Sequence, residues 1–198
     1  RGKHVTGVQT CALPISLLAF VASVRSVALF NGGWHEGVER LGLALIILAI
    51  VGRGWCSLYI GGRKKAEIVD RGPYSMTRNP LYVFSFIGAF GIGAQTGSLI
   101  VGAIFALATF LVFLRTVGRE EAWLAEHFGE TYEAYRARTP RFWPDASRWR
   151  DAEELTVRPA FFLRTLRDGL TFLVAIPIME GIEHLQSTGM LGFRIGLF

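Results

Sequence analysis

The chain has 198 residues, 51% of them hydrophobic, with 15 Phe and a formal net charge of +5 at pH 7. Mean hydropathy is +0.36, and the charges cluster between long uncharged runs, which points to a membrane protein of about one domain. No basic stripe interleaved with aromatics appears outside those clusters, so the positive balance reads as membrane-side loops and argues against a nucleic-acid partner.

Taken in chain order, Arg1 to Ser16 do not read as part of the fold. The run VTGVQTCALPIS, Val5 to Ser16, looks like translated adapter sequence. It is expected to be non-native and dispensable, with the native N-terminus missing. Setting Cys11 aside leaves Cys56, so no intrachain disulfide is expected. Residues 17–198 then form a single domain, with its motif core at 61–144 and a C-terminal helical region at 159–190.

Leu17 to Phe30 is the first apolar segment, interrupted by Arg25. Leu41 to Ile60 is the second and meets the requirement of about 20 mostly apolar residues for a span. Arg53 lies inside it, a costly position that predicts snorkelling or an inward-facing side chain. Leu81 to Ala94 and Leu99 to Leu114 flank Gln95-Thr96-Gly97-Ser98 and predict a tight helical hairpin. Gly88, Gly91, Gly93 and Gly102 would let its helices approach closely. From Phe161 to Val174, Leu163, Leu166, Leu170 and Leu173 share one face, the pattern of an interfacial helix. It runs on into a fifth membrane helix that Pro177 would kink. The expected fold is all-α, a multi-pass bundle of about four to five spans with no substantial sheet.

Two polar stretches stand out. Arg71 to Tyr82 reads RGPYSMTRNPLY, with breaker pairs at Gly72-Pro73 and Asn79-Pro80. Arg119 to Pro144 reads REEAWLAEHFGETYEAYRARTPRFWP. Arg63, Lys64, Lys65, Arg71 and Arg78 lie in or near the first, and Arg119, Arg136, Arg138, Arg141, Arg148 and Arg150 in or after the second. The excess of basic residues places both on the cytoplasmic side of what reads as a bacterial inner membrane.

With Gly72, Tyr74, Arg78, Pro80 and Tyr82 in the first stretch, and Glu120, Glu121, Leu124, Phe128, Gly129, Tyr132, Tyr135 and Pro144 in the second, the chain resembles the isoprenylcysteine carboxyl methyltransferase family. The resemblance covers roughly Glu67 to Pro144. It implies a membrane methyltransferase that uses S-adenosylmethionine and acts on a lipophilic small molecule taken from the lipid bilayer. By the same resemblance, Tyr74, Asn79, Pro80, Leu81 and Tyr82 line the cofactor pocket. Ala66, Glu67, Ile68 and Val69 contribute by backbone, and Glu120 binds the methionine end. Helical periodicity alone would have picked Glu121, which shares a face with Leu124, Phe128, Tyr132 and Tyr135.

Two departures stand out. The family's histidine is Asn79 here, and the arginine one turn before the first Glu, which handles the substrate carboxylate, is Thr116. Arg115 and Arg119 flank that position and are the candidates to replace it. Were the acceptor an amine or a thiol, Glu121 or His127 would be the base. Two other readings stay open: an NADPH-dependent reductase of the sterol-reductase type, which shares an R-H-P-x-Y loop, and a non-catalytic membrane scaffold. A cofactor was expected and a metal was not.

Overall fold

The computed structural model describes residues 24–26, 32–63, 66–188 and 195–197. Arg1 to Ser16, and with them the adapter reading, lie outside these residues, as does most of Leu17 to Phe30. Val24–Ser26 (β1) pairs in parallel with Ile195–Leu197 (β2), with Val24 opposite Ile195. Every other regular element among the described residues is helical.

Helix α1 spans Gly32–Ile60. Its 29 residues extend about 44 Å, more than the hydrocarbon core of a bilayer. It ends at Gly61-Gly62, where Gly62 takes φ 81°. A single turn, α2 at Pro73–Met76, follows with Pro73 in the first position. Helix α3 is Pro80–Ala94, again opened by proline. Proline lacks only an N–H that the first helical turn leaves unpaired, which is why both breaker pairs start helices here. The hairpin turn follows, with Gly97 at φ 71° and Ser98 capping the next helix by accepting from the Val101 N–H.

That next helix corrects the expectation. Instead of an arm ending at Leu114, α4 runs unbroken from Leu99 to Phe128. The apolar count stops where charge begins, but no proline intervenes and the helix tolerates the lone Gly118, so the backbone continues through Glu120 and Glu121. Gly129, at φ 50°, ends it, and α5 at Glu130–Arg138 sets off in a new direction. Tyr132 and Tyr135 therefore sit on a different helix from Glu121, and the single face drawn through all of them does not exist.

The C-terminal region also differs from the expected kinked span. Helix α6, Pro159–Leu170, is joined by a 3-10 turn, Thr171–Val174, to α7, Ala175–Ser187. The break lies at that turn, six residues before Pro177 at its start, and Pro177 falls in the tolerant first turn of α7. Among the described residues only α1 and α4 are long and apolar enough to cross a membrane; α3 is shorter.

Close packing runs through glycines, as the pattern predicted. A Cβ on Gly91 would lie 2.7 Å from the Gly42 carbonyl of α1, and one on Gly93 would lie 2.7 Å from the Gly102 Cα of α4. Helix α6 lies along α1, with the Phe162 ring over Gly54. The outer faces of α1 and α4 leave Leu41, Ile47, Leu48, Leu107 and Leu111 exposed. Such continuous apolar exposure suits lipid rather than water. Arg53 points inward, its Nη1 donating to the Ser85 hydroxyl of α3. Cys56 is buried and free.

Candidate functional site

The motif loop between α1 and α3 is held rigid by the segment that follows α5. The Arg78 N–H donates to the Pro140 carbonyl at 2.9 Å, and the Gly72 N–H donates to the Arg150 carbonyl at 2.7 Å. The Thr77 hydroxyl donates to the Arg141 carbonyl at 3.1 Å, and the Asp145 N–H donates to the Met76 carbonyl at 3.1 Å. Gly72 sits at φ 57°, where any Cβ would strike the Tyr59 ring at 2.3 Å. That position demands glycine on both counts.

Above this loop a cavity of about 430 Å³ opens between it and the second half of α4. Glu67, Ile68, Val69, Tyr74, Asn79, Pro80, Leu81 and Tyr82 line one side, and Arg119, Glu120 and Glu121 line the other. Ala66 and Arg115, both exposed, and His127 are the three nominated residues that the cavity does not include. Thr116 does line it, in the place where Arg115 was a candidate to act. Ile60, Arg78, Trp123, Leu124, Tyr132 and Tyr135 complete the wall. These were not nominated, although Arg78, Leu124, Tyr132 and Tyr135 belong to the motif residues and were legible as such. Ile60 and Trp123 carried no signal in the sequence.

The two adjacent glutamates have separate surroundings. Glu120 accepts the Tyr82 hydroxyl at 3.0 Å, which joins the two motifs across the cavity. Glu121 pairs with Arg141 at 3.0 Å and with Arg78 at 3.6 Å. It also accepts from the Asn79 side-chain amide at 3.3 Å. The same amide donates to the Arg141 carbonyl at 3.1 Å. Asn79 therefore ties α3, α4 and the loop after α5 together at the start of α3, a task for an amide with two N–H donors. Glu121 is the hub of that tie.

Several polar atoms in the wall are buried without a hydrogen-bond partner: the Tyr74 hydroxyl and the Arg78 Nε and Nη1. Such groups cost about 1–3 kcal/mol each when left unsatisfied, and here they belong to residues of the cavity wall. Burial pushes the Tyr74 phenol well above its usual range, with neighbouring Cys56 and Tyr135 acting the same way. Tyr74 stays a donor at neutral pH. Its carbonyl accepts the Tyr135 hydroxyl at 2.8 Å, which holds it in place. His127 is stacked on Trp123 at 4.7 Å and is not part of the cavity wall.

Comparison with known proteins now adds to the geometry. A family model described as phospholipid methyltransferase matches residues 40–131. The chain is 31% identical over 143 residues to the protein-S-isoprenylcysteine O-methyltransferase of Schizosaccharomyces pombe, across 70% of this chain and 58% of that one. The chain belongs to the superfamily of phospholipid and isoprenylcysteine-type methyltransferases. Membership suggests a membrane methyltransferase. Two further relatives carry other names. The nickel-cobalt-cadmium resistance protein NccN of Alcaligenes xylosoxydans xylosoxydans is 38% identical over 176 residues, 85% of this chain and 82% of that protein. The cobalt-zinc-cadmium resistance protein CzcN of Cupriavidus metallidurans is 41% identical over 163 residues, 82% and 75% respectively. No solved structure matches the chain. The family match takes in α1, the motif loop, the hairpin and both glutamates, so the superfamily's core coincides with the elements that build the cavity.

Proposed function

We propose that the chain is a membrane methyltransferase that binds S-adenosylmethionine in this cavity and passes its methyl group to a lipophilic small molecule. The observation that carries the reading is the pairing of Tyr82 with Glu120 across a cavity that also holds unsatisfied donors. The residues fit the cofactor's chemistry. Its amino group and sulfonium are cationic and suit a carboxylate, here Glu120. Its carboxylate suits Arg78 or Arg119 and the Tyr74 hydroxyl. Its adenine suits the apolar wall of Pro80, Leu81 and Tyr82. A cavity of about 430 Å³ lies within the range of small-molecule sites.

When bound, the cofactor supplies an electrophilic methyl carbon. The protein's contribution is orientation and exclusion of water. A carboxylate acceptor needs no base, being ionised at neutral pH. Positive charge for it is offered by Arg119 at the cavity wall. We place the cavity on the cytoplasmic side, on the excess of basic residues in the two motif stretches. NccN and CzcN are named for metal resistance. In this chain such a role would run through a methylated membrane component.

The test is titration of the purified protein in nanodiscs with S-adenosylhomocysteine and, separately, with NADPH. Binding of the first, together with a transfer of labelled methyl into the lipid-extractable fraction, supports the proposal. Glu120→Gln should weaken S-adenosylhomocysteine by about tenfold to a hundredfold, the worth of a charge-assisted hydrogen bond. Binding of NADPH and not of S-adenosylhomocysteine overturns the proposal in favour of a reductase.

A further inference from the structure

A second cavity, of about 450 Å³, lies deeper, among α1, α3, α4, the Thr171–Val174 turn and α7. Its walls are mostly apolar, with Ala89, Ile92, Phe105, Phe172 and Met179 among them. Four polar residues reach it: Arg53, Ser85, Thr109 and Thr171. It backs onto the first cavity through one ring pair. Tyr82 lines the first and Phe113 the second, with ring centroids 5.0 Å apart.

Arg53 is the unexplained residue. It stands seven positions before the end of α1, about 10 Å along the helix axis. That is within reach of a snorkelling side chain, yet Arg53 turns inward. Its Nη1 donates to the Ser85 hydroxyl, which in turn donates to the Leu81 carbonyl at 2.8 Å. Its guanidinium lies 5.8 Å from the Phe172 ring centroid. Its Nε is buried with no acceptor. Among the described residues no carboxylate comes within ion-pair distance; Asp168 acts on its charge from farther away. A cation kept inside an apolar segment, with donors to spare, marks a functional site by default.

We propose that this cavity binds a single-chain anionic amphiphile, its carboxylate held by Arg53 and its chain lying against the apolar walls. With Nη1 engaged by Ser85, Nε and Nη2 remain as the side-on pair of the guanidinium fork, and that pair matches one carboxylate. A small hydrophilic anion would leave the aromatic walls unused. An uncharged chain would leave the Nε unsatisfied. The assignment concerns binding and does not depend on methyl transfer.

The experiment uses the full chain in phosphatidylcholine nanodiscs and two photoreactive probes, palmitate and 1-hexadecanol, each bearing a diazirine on the chain. Labelled peptides are mapped by mass spectrometry. Palmitate should label Ile92, Phe105 and Met179 about tenfold more than the alcohol does. Arg53→Gln should reduce palmitate to the level of the alcohol, and Arg53→Lys should retain part of the preference. Thr109→Phe, which fills the cavity from α4, should abolish labelling by both. Thermal unfolding of each variant checks the fold. Equal labelling by acid and alcohol in the unaltered protein overturns the proposal without any variant. So does a preference that survives in Arg53→Gln, or label confined to lipid-facing Leu107 and Leu111.

Discussion

Glu120 and Glu121 are neighbours in sequence, yet their substitution should fail in different ways. Glu121 is 15% exposed at its side chain and faces Arg78 at 10% and Arg141 at 37%. Two guanidiniums and the Asn79 amide converge on it. Glu121→Gln keeps the shape and removes the charge. At an effective dielectric of about 20, each close pair is worth up to about 4 kcal/mol before desolvation. The distance of the Arg78 pair and the exposure of Arg141 reduce that considerably. A net loss of roughly 2–3 kcal/mol remains, in line with hydrogen bonds to charged groups. For a chain of this size the melting temperature should fall by about 4–12 °C. Glu120→Gln keeps an oxygen that accepts from Tyr82 and should act chiefly by weakening S-adenosylhomocysteine. The assay is a paired one: thermal unfolding in detergent and ligand titration well below the transition. If Glu121→Gln melts with the unaltered protein while losing ligand, the roles assigned to the two residues are reversed and the reasoning fails.

Two further outcomes follow from the packing and from the tyrosines. Gly91→Leu should destabilise the α1–α3 contact by roughly 3 kcal/mol, since its Cβ meets the Gly42 carbonyl at 2.7 Å and backbone yields poorly to overpacking; a variant that unfolds in detergent at the same temperature as the parent would contradict that contact. Burial raises the phenols of Tyr74 and Tyr135, so the stability they contribute is complete below the unfolded value of about 10 and is lost as pH rises through their higher folded values. In an alkaline titration their phenolate absorbance should therefore appear together with loss of helical circular dichroism, and a reversible appearance ahead of unfolding would show that these two rings are open to solvent.

Much of this was legible because several signals agreed. Composition, the apolar run in α1 and the hairpin turn at Gln95 to Ser98 all called for membrane helices, and the glycine positions marked where those helices touch. The paired motifs named most of the cavity wall. What the sequence hid was backbone direction. Apolarity falls off after Leu114 while the helix does not, so α4 carries the glutamates out of the bilayer as a rigid extension. Gly129 reads as a motif residue and acts as a corner. Both features concern φ angles and end signals, which hydropathy does not register.

The choice between the two glutamates shows the same limit at the scale of one side chain. Periodicity along a continuous helix points to Glu121, because its neighbours one and two turns on are large and apolar. That argument assumes that the apolar face is the cavity face. In the structure both glutamates reach the cavity wall, and what waits beside Glu121 is Arg141, more than sixty residues from Asn79 in sequence and bound to it through its carbonyl. No local pattern announces that contact. It arises because Gly129 turns the chain, α5 carries it back, and Pro140 and Arg141 lay their carbonyls against Arg78, Thr77 and Asn79. Once Glu121 is committed to holding this junction, Glu120 is left beside Tyr82. In the proposed site Glu121 therefore holds the junction of α3, α4 and the loop after α5, and Glu120, beside Tyr82 at the cavity wall, is the carboxylate placed for a cationic group.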